Sequence, residues 1–239
     1  MNDKQEAKFQ ELTGRPVGHL VCKMAVPTII SMMVTACYNM VDTYFVGQLH
    51  SNSATGAVGV VFSVMAIIQA VGFFFGHGSG NYISRALGAH DVSGAESMAA
   101  TGFFSALIGG TVIMTGGLLF REPLALALGS SETILPYAVD YLRWILIGAP
   151  YMTASLVLNN QLRFQGNAVY AMIGLVSGAV INIGLDPLLI FALDMGVAGA
   201  AIATVISQAA SCAYALCFLL GKRAQIRIER PHLDFAVIR

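Results

Sequence analysis

Six long apolar segments alternate with short polar connections along this chain. A helix needs about 20 mainly apolar residues to cross a bilayer. Six stretches meet this requirement, at residues 24–46, 54–76, 95–119, 134–158, 169–191 and 196–220. Because the connections between them are short, successive helices are expected to be antiparallel neighbours in a bundle. The pattern therefore predicts an all-α, polytopic membrane protein with six transmembrane helices.

The regions that flank the apolar segments are polar. Residues 1–23 form a polar leader, and residues 221–239 form a basic, interfacial tail. The first apolar segment is too long for a signal-peptide core and no small-residue cleavage site follows it, so we expect an uncleaved first span. The tail is more typical of a connector than of a chain terminus.

Basic residues are distributed unevenly between the two sides of the predicted bundle. Of the thirteen Lys and Arg residues, only Arg121 and Arg143 belong to the side opposite the termini. The other eleven are Lys4, Lys8, Arg15, Lys23, Arg85, Arg163, Lys222, Arg223, Arg227, Arg230 and Arg239. Since basic residues accumulate on the cytoplasmic side, both termini are predicted to be cytoplasmic in a multi-pass protein of the cell membrane.

The composition agrees with a protein embedded in the lipid bilayer, which is therefore its expected partner. Hydrophobic residues make up 56% of the chain and charged residues 11%, with no net charge, whereas a soluble domain is nearer a quarter charged. A chain without net charge has no overall field to attract nucleic acid. The four cysteines form no C-x-x-C pair, and no Ser/His/Asp or Cys/His arrangement is evident. We therefore expect neither an enzyme nor a bound cofactor.

Two acidic residues interrupt the apolar segments, Asp42 late in the first and Asp186 late in the fifth. An ionisable residue at the bilayer centre costs about 3 kcal/mol or more, so it usually faces protein or water and has a function. Both spans are predicted to run outward, which places the two carboxylates at a similar depth in the outer half of the membrane. They could share one cation or one proton, or each could form a local hydrogen bond that fixes packing.

Oxygen-bearing groups accompany the second acid. Asn182 precedes Asp186 by four residues, a spacing that puts both on one helix face. Pro187 would bend the helix and free the carbonyl group near Ile183. Thr204 of the sixth span enters at a similar depth and could add a hydroxyl group, or could hydrogen-bond only within its own turn. Together these groups form a plausible site for a hard cation, Na⁺ if the protein is sodium-coupled.

Two further positions have both a functional and a structural interpretation. Pro27, near the start of the first span, is predicted to be a bend point, although proline is common in transmembrane helices. Tyr141 and Asp140 could line a pocket, or Tyr141 could belong to an interfacial aromatic belt with Tyr137 and Trp144.

With these residues identified, the sequence resembles the multidrug and toxic compound extrusion (MATE) family, most closely its bacterial DinF-like and MepA-like members. The resemblance rests on Pro27 with VDTYFVGQL, and on GSGNYISRALGAHD, LRFQGN, NIGLDPLLIF and GVAGAAIATVISQ, in this order. These stretches extend over nearly the whole chain. The resemblance implies an antiporter that exports organic, often cationic, drugs in exchange for H⁺ or Na⁺.

Family positions can be assigned residue by residue. The resemblance implies a cation- or proton-binding group formed by Asp42, Asn182, Asp186 and Thr204, with Pro27 as the bending proline. Tyr141 and Asn159 are weaker matches to polar residues of the substrate cavity. Ala168 stands where many members have proline after the Gly-Asn pair.

The chain departs from the family in length, because members have twelve spans in two six-helix lobes. We therefore expect the N-terminal lobe of such an antiporter. Either it is part of a longer chain, in which the tail leads to a second lobe, or it pairs with a separate six-helix lobe; the connector-like tail favours the first. Two alternatives remain: a lipid-linked oligosaccharide flippase, which should have more basic residues in its cavity, and a membrane subunit that acts as a scaffold without transporting.

Overall fold

The computed structural model describes residues 3–49, 51–221 and 226, and these residues form helices without any β-strand. The helices are α1 (Asp3–Gly14), α2 (Val17–Gly47), α3 (Asn52–Gly88), α4 (Val92–Leu119), α5 (Arg121–Ala127), α6 (Leu135–Phe164), α7 (Ala168–Pro187), a π-helical turn (Leu188–Ala192) and α8 (Gly196–Leu220).

Six of these helices match the six apolar segments of the sequence. By length and composition α2, α3, α4, α6, α7 with its π-helical turn, and α8 can each cross a membrane. The prediction of an all-α protein with six transmembrane helices is therefore confirmed. We call the end of the bundle where α2 begins the terminal end, and the other end the distal end.

Helix α6 is the centre of the bundle and α2 lies at its edge. Most side chains of α6 are buried, because α3, α4 and α8 all pack against this helix. The Gln161 amide of α6 donates hydrogen bonds to Ser79 Oγ of α3 at 3.2 Å and to the Ala99 carbonyl of α4 at 3.0 Å. Helix α2 packs mainly against α7 and leaves a broad apolar face exposed, including Met33 and Met40.

Several helix boundaries differ from the predicted ones at the terminal end. Helix α2 begins at Val17, so the predicted leader 1–23 contains α1 as well as the first turns of α2. Helix α3 continues to Gly88, well beyond the predicted end at residue 76. The small residues after that point do not end the helix, because Gly76 and Gly80 lie directly against Asn160 and Phe164 of α6. Most of the predicted connector 221–239 lies outside the described residues.

The contact between α4 and α6 depends on a glycine, Gly110, at which there is no room for a side chain. A Cβ atom on Gly110 would lie 2.6 Å from the Pro150 Cα atom and 2.9 Å from the Ala149 carbonyl oxygen. Beside it, the Thr153 hydroxyl donates a hydrogen bond to the Ala106 carbonyl at 2.9 Å. Because backbone atoms cannot move aside as a flexible side chain can, the two helices must separate if this position gains a methyl group.

We expect Gly110→Ala to destabilise the fold by about 1–3 kcal/mol, the usual effect of overpacking. Gly116→Ala in the same helix is the matched control, because nothing lies within 4 Å of its Cβ position. That substitution should leave stability unchanged or raise it by up to about 1 kcal/mol. Thermal unfolding of the purified protein in detergent measures both, and equal midpoints would contradict the packing described.

Candidate functional site

Two buried carboxyl groups lie at the distal end of the bundle. Asp42 is on the last turns of α2 and is 7% exposed, while Asp186 is on the last turn of α7 and is fully buried. The two groups are close enough to interact electrostatically. Helices α2 and α7 pack against each other and run in the same direction, which explains how residues distant in sequence meet at one depth.

The predicted pairing of Asn182 with Asp186 is present. The Asn182 side-chain amide donates a hydrogen bond to Asp186 Oδ1 at 3.3 Å. Three buried oxygens at this end, Asp42 Oδ1, Asn182 Oδ1 and Asp186 Oδ2, have no hydrogen-bond partner in the described part of the chain. Buried polar atoms are normally satisfied, and oxygen ligands are those that hard cations prefer. The donor set therefore fits a small hard cation or a proton.

The helix changes form immediately after Asp186. Pro187 ends the α-helical part of α7, and in the π-helical turn that follows, the Leu193 N–H donates to the Leu188 carbonyl at 3.0 Å. The Phe191 ring packs edge-on against Phe45 of α2. A Cβ atom on Gly199 of α8 would lie 2.8 Å from the Leu189 carbonyl. The turn is thus fixed between α2 and α8, beside the two carboxyl groups.

The structure also locates the remaining predicted ligands and bend points. Thr204 is buried on α8, and its carbonyl accepts a hydrogen bond from the Ser207 hydroxyl at 2.9 Å. Tyr141 is 1% exposed and interacts electrostatically with both acids. It is thus buried beside them, unlike the half-exposed Tyr137. Helix α2 passes through Pro27 as one continuous helix, and the Ser31 hydroxyl donates to the Pro27 carbonyl at 2.7 Å.

A cavity of about 280 Å³ lies between the acids and the terminal end. Helices α2, α3, α6, α7 and α8 line it, and its wall is mainly apolar with several amide and hydroxyl groups. Of the two candidate substrate residues, Asn159 lines this cavity and Tyr141 does not. Tyr38 and Asn39, one turn before Asp42, also line it, so the carboxyl site and the cavity are neighbours along α2.

Two features of the cavity wall were not predicted from the sequence. Gln208 of α8 donates a hydrogen bond to the Tyr38 hydroxyl of α2 at 3.4 Å. Arg163, predicted to lie in a connection between spans, is on the last turn of α6 and lines the cavity. The signal available in the sequence was its spacing. Arg163 follows Asn159 by four residues and Asn160 by three, which places it on the same helix face as this pair.

Comparison with known proteins identifies the fold and the family. The profile of the MatE family matches residues 27–188, which include both carboxyl groups and the cavity wall of α6. The chain belongs to the MATE family. The multidrug export protein MepA of Staphylococcus aureus (strain MRSA252) is 30% identical over 238 residues, covering 98% of this chain and 52% of that protein.

Solved MATE structures have the same fold as this lobe. A crystal structure of MATE in the bent conformation matches with 32% identity and a TM-score of 0.82, and one in the straight conformation with 32% identity and a TM-score of 0.83. Each match covers 88% of this chain and 47% of the solved chain. The chain therefore spans about half the length of the MATE proteins it matches.

Proposed function

We propose that this chain forms one six-helix lobe of a cation-coupled multidrug efflux antiporter, with H⁺ or Na⁺ as the coupling ion. The observation that carries the proposal is the buried group at the distal end, in which Asp42 and Asp186 interact and Asn182 is hydrogen-bonded to Asp186. Thr204 completes the proposed ion site from α8. The protein would act in the cell membrane with both termini in the cytoplasm.

Coupling requires a site that binds an ion in one state and releases it in another. Two carboxylates buried beside each other repel, and a proton or a cation between them relieves that repulsion. The unpartnered oxygens of Asp42, Asn182 and Asp186 provide the ligands for such an ion. Pro27 lies on the same helix as Asp42, so bending of α2 at this proline would change the distance between Asp42 and α7.

Drug export is supported by the relatives and by the cavity. The similar protein of Staphylococcus aureus is named as a multidrug export protein. The cavity of about 280 Å³ offers apolar walls with a few polar groups, as is usual for small-molecule sites. We infer that a second six-helix lobe, in the same chain or in a partner chain, forms the other wall, because alternating access needs two lobes that move against each other.

The alternatives from the sequence have less support. A flippase for lipid-linked oligosaccharides should have a strongly basic cavity, whereas Arg163 is the only basic residue among the described residues that line this one. A scaffold without transport gives no reason for two acids to be buried together within apolar helices.

The test is coupled flux through the complete transporter in proteoliposomes. We expect ethidium added on one side to drive efflux of H⁺ or Na⁺ from the other, and an imposed ion gradient to drive ethidium uphill. Liposomes without protein are the control. Transport of ethidium that runs only down its own gradient, unaffected by either ion, would contradict an antiporter.

A further inference from the structure

A hydrogen bond across the cavity joins α2 to α8. The Gln208 side-chain amide donates to the Tyr38 hydroxyl at 3.4 Å, and both side chains are partly buried. Between described residues this is the one side-chain hydrogen bond from α2 to another transmembrane helix, since the serine and threonine hydroxyls of α2 that form hydrogen bonds donate to carbonyl groups of α2 itself. The polar contact between α2 and α8 therefore depends on these two side chains.

The Tyr38–Gln208 contact lies one helical turn from the proposed ion site on both helices. Tyr38 precedes Asp42 by four residues, and Gln208 follows Thr204 by four residues, so each pair shares a helix face. Because α8 runs antiparallel to α2, both steps lead towards the terminal end. Tyr38 is also close enough to Asp42 to interact with it electrostatically.

The contact separates the cavity from the proposed ion site. Tyr38 and Gln208 both line the cavity, whereas Asp42 and Thr204 do not. A ligand in the cavity can therefore contact Tyr38 and Gln208 directly, while the ion-site groups lie one turn further towards the distal end.

Helix α8 is closely packed at this level and α2 is not. A Cβ atom on Gly178 of α7 would lie 3.2 Å from the Ser207 carbonyl oxygen and 3.3 Å from the Ser211 Cβ atom, so α7 and α8 approach each other closely here. Helix α8 also packs extensively against α6. Helix α2 instead lies at the edge of the bundle, with a broad exposed face. When the Tyr38–Gln208 contact breaks, α2 is therefore the helix that moves.

A ligand can break this contact because the hydrogen bond is weak. Its length of 3.4 Å exceeds the usual 2.7–3.2 Å of an N–H···O hydrogen bond. An aromatic cation such as ethidium can bind against the Tyr38 ring, whose face attracts cations. Once separated, the Tyr38 hydroxyl and the Gln208 amide can each hydrogen-bond to the ligand instead of to each other.

We propose that a drug breaks the Tyr38–Gln208 contact when it fills the cavity, and that the intact contact holds α2 in the position that favours the coupling ion. Breaking the contact lets Asp42 move away from Thr204, so drug binding promotes ion release. Tyr38 and Gln208 are thus positioning residues, because they act on the ion through the position of Asp42. The inference rests on the proposed function and names the contact through which its two sites communicate.

Tyr38→Phe and Gln208→Leu each remove the hydrogen bond and nearly preserve the size of the side chain. Ethidium binding to the purified complete transporter in detergent is measured by fluorescence anisotropy, at saturating and at minimal concentrations of the coupling ion. With the ion present, each variant should bind ethidium about 2- to 10-fold more tightly than the wild type, because the drug no longer has to break a hydrogen bond. Without the ion the affinities should be nearly equal, so the effect of the ion on ethidium affinity falls by the same factor.

A variant with both substitutions distinguishes one shared contact from two independent effects. If Tyr38 and Gln208 act through their mutual hydrogen bond, the double variant should match either single variant. The matched control is Thr35→Val, because Thr35 also lies on α2 and lines the cavity but its hydroxyl donates to the Ser31 carbonyl within the helix. That variant should show the wild-type effect of the ion.

Thermal midpoints show whether each variant is folded, and either single substitution suffices for the test. A wild-type effect of the ion in the folded Tyr38→Phe or Gln208→Leu variant would overturn the inference and leave the proposed function in place, and so would effects that add in the double variant. The proposed function fails separately if wild-type ethidium affinity depends on neither H⁺ nor Na⁺. In that case, tighter and non-additive ethidium binding by the variants would still support a contact that the drug breaks.

Discussion

Asp42→Asn and Asp186→Asn are each expected to abolish drug resistance in cells that express the complete transporter. Asparagine has nearly the same shape as aspartate, so packing at the distal end should survive either change. What is lost is the negative charge that, in the proposed mechanism, binds and releases the coupling ion in every cycle. Resistance should therefore fall to that of cells without the transporter, although each variant reaches the membrane in normal amounts. Growth in the presence of ethidium, with membrane expression measured by immunoblot, tests this expectation.

Asp140→Asn is the matched control for these two substitutions. Asp140 is an exposed acid on α6 at the same end of the bundle, and it is not among the residues of the proposed ion site. Its replacement removes the same charge from the same side of the lobe, and we expect full resistance. If Asp42→Asn or Asp186→Asn also confers full resistance at wild-type expression, that acid is not the coupling group.

The six spans could be predicted because a bilayer imposes a minimum length of apolar sequence on every helix that crosses it. The predicted sixth span, 196–220, has the same limits as α8. The end of α3 could not be predicted in this way. Glycine and polar residues lower hydropathy after residue 76, but in this fold Gly76 and Gly80 serve as contact points for α6. The end of α3 is determined by its contact with α6, and the mean hydropathy of one segment carries no information about that contact.

The candidate site was predictable where it places a charged residue within an apolar segment, because such a residue is energetically unfavourable in a membrane. A carboxylate within an apolar segment is conspicuous, and the four-residue spacing of Asn182 and Asp186 already implies their contact. Tyr141 was ambiguous because tyrosine suits both a membrane interface and a buried polar site, and only its neighbours distinguish them. The position of Arg163 in the cavity wall depends on how α3, α7 and α8 surround α6. A local sequence pattern carries no information about these neighbours.

We expect the coupling ion and the drug to weaken each other's binding. The proposed ion site and the cavity share α2, with Tyr38 and Asn39 in the cavity wall one turn before Asp42. An ion that bridges Asp42 to Asn182 and Asp186 would draw α2 towards α7 and narrow the cavity between them. A drug that fills the cavity would oppose this movement. The two ligands therefore favour different positions of α2, which is the condition for coupling between sites.

The size of this effect can be measured as a change in drug affinity of the purified complete transporter. Couplings of this kind change affinity by about 5- to 150-fold. Ethidium binding should weaken as pH falls if H⁺ is the coupling ion, or as Na⁺ replaces K⁺ at constant ionic strength and pH if Na⁺ is. Titrating one variable while the other is fixed separates the two ions. Asp42→Asn should bind ethidium with an affinity that no longer depends on either variable.

Because the coupling between ion and drug is reciprocal, it makes a quantitative prediction that a simple loss of transport does not. At equilibrium, an ion that weakens drug binding by some factor must itself bind more weakly by the same factor when the drug is present. Saturating ethidium should therefore shift the pH or Na⁺ midpoint by the factor measured in the drug titration. If the drug affinity of the wild type is independent of both pH and Na⁺, Asp42 and Asp186 are structural groups. Because structural acids would be just as buried, this linkage is the measurement that distinguishes an ion site that drives export from two carboxyl groups that serve only in packing.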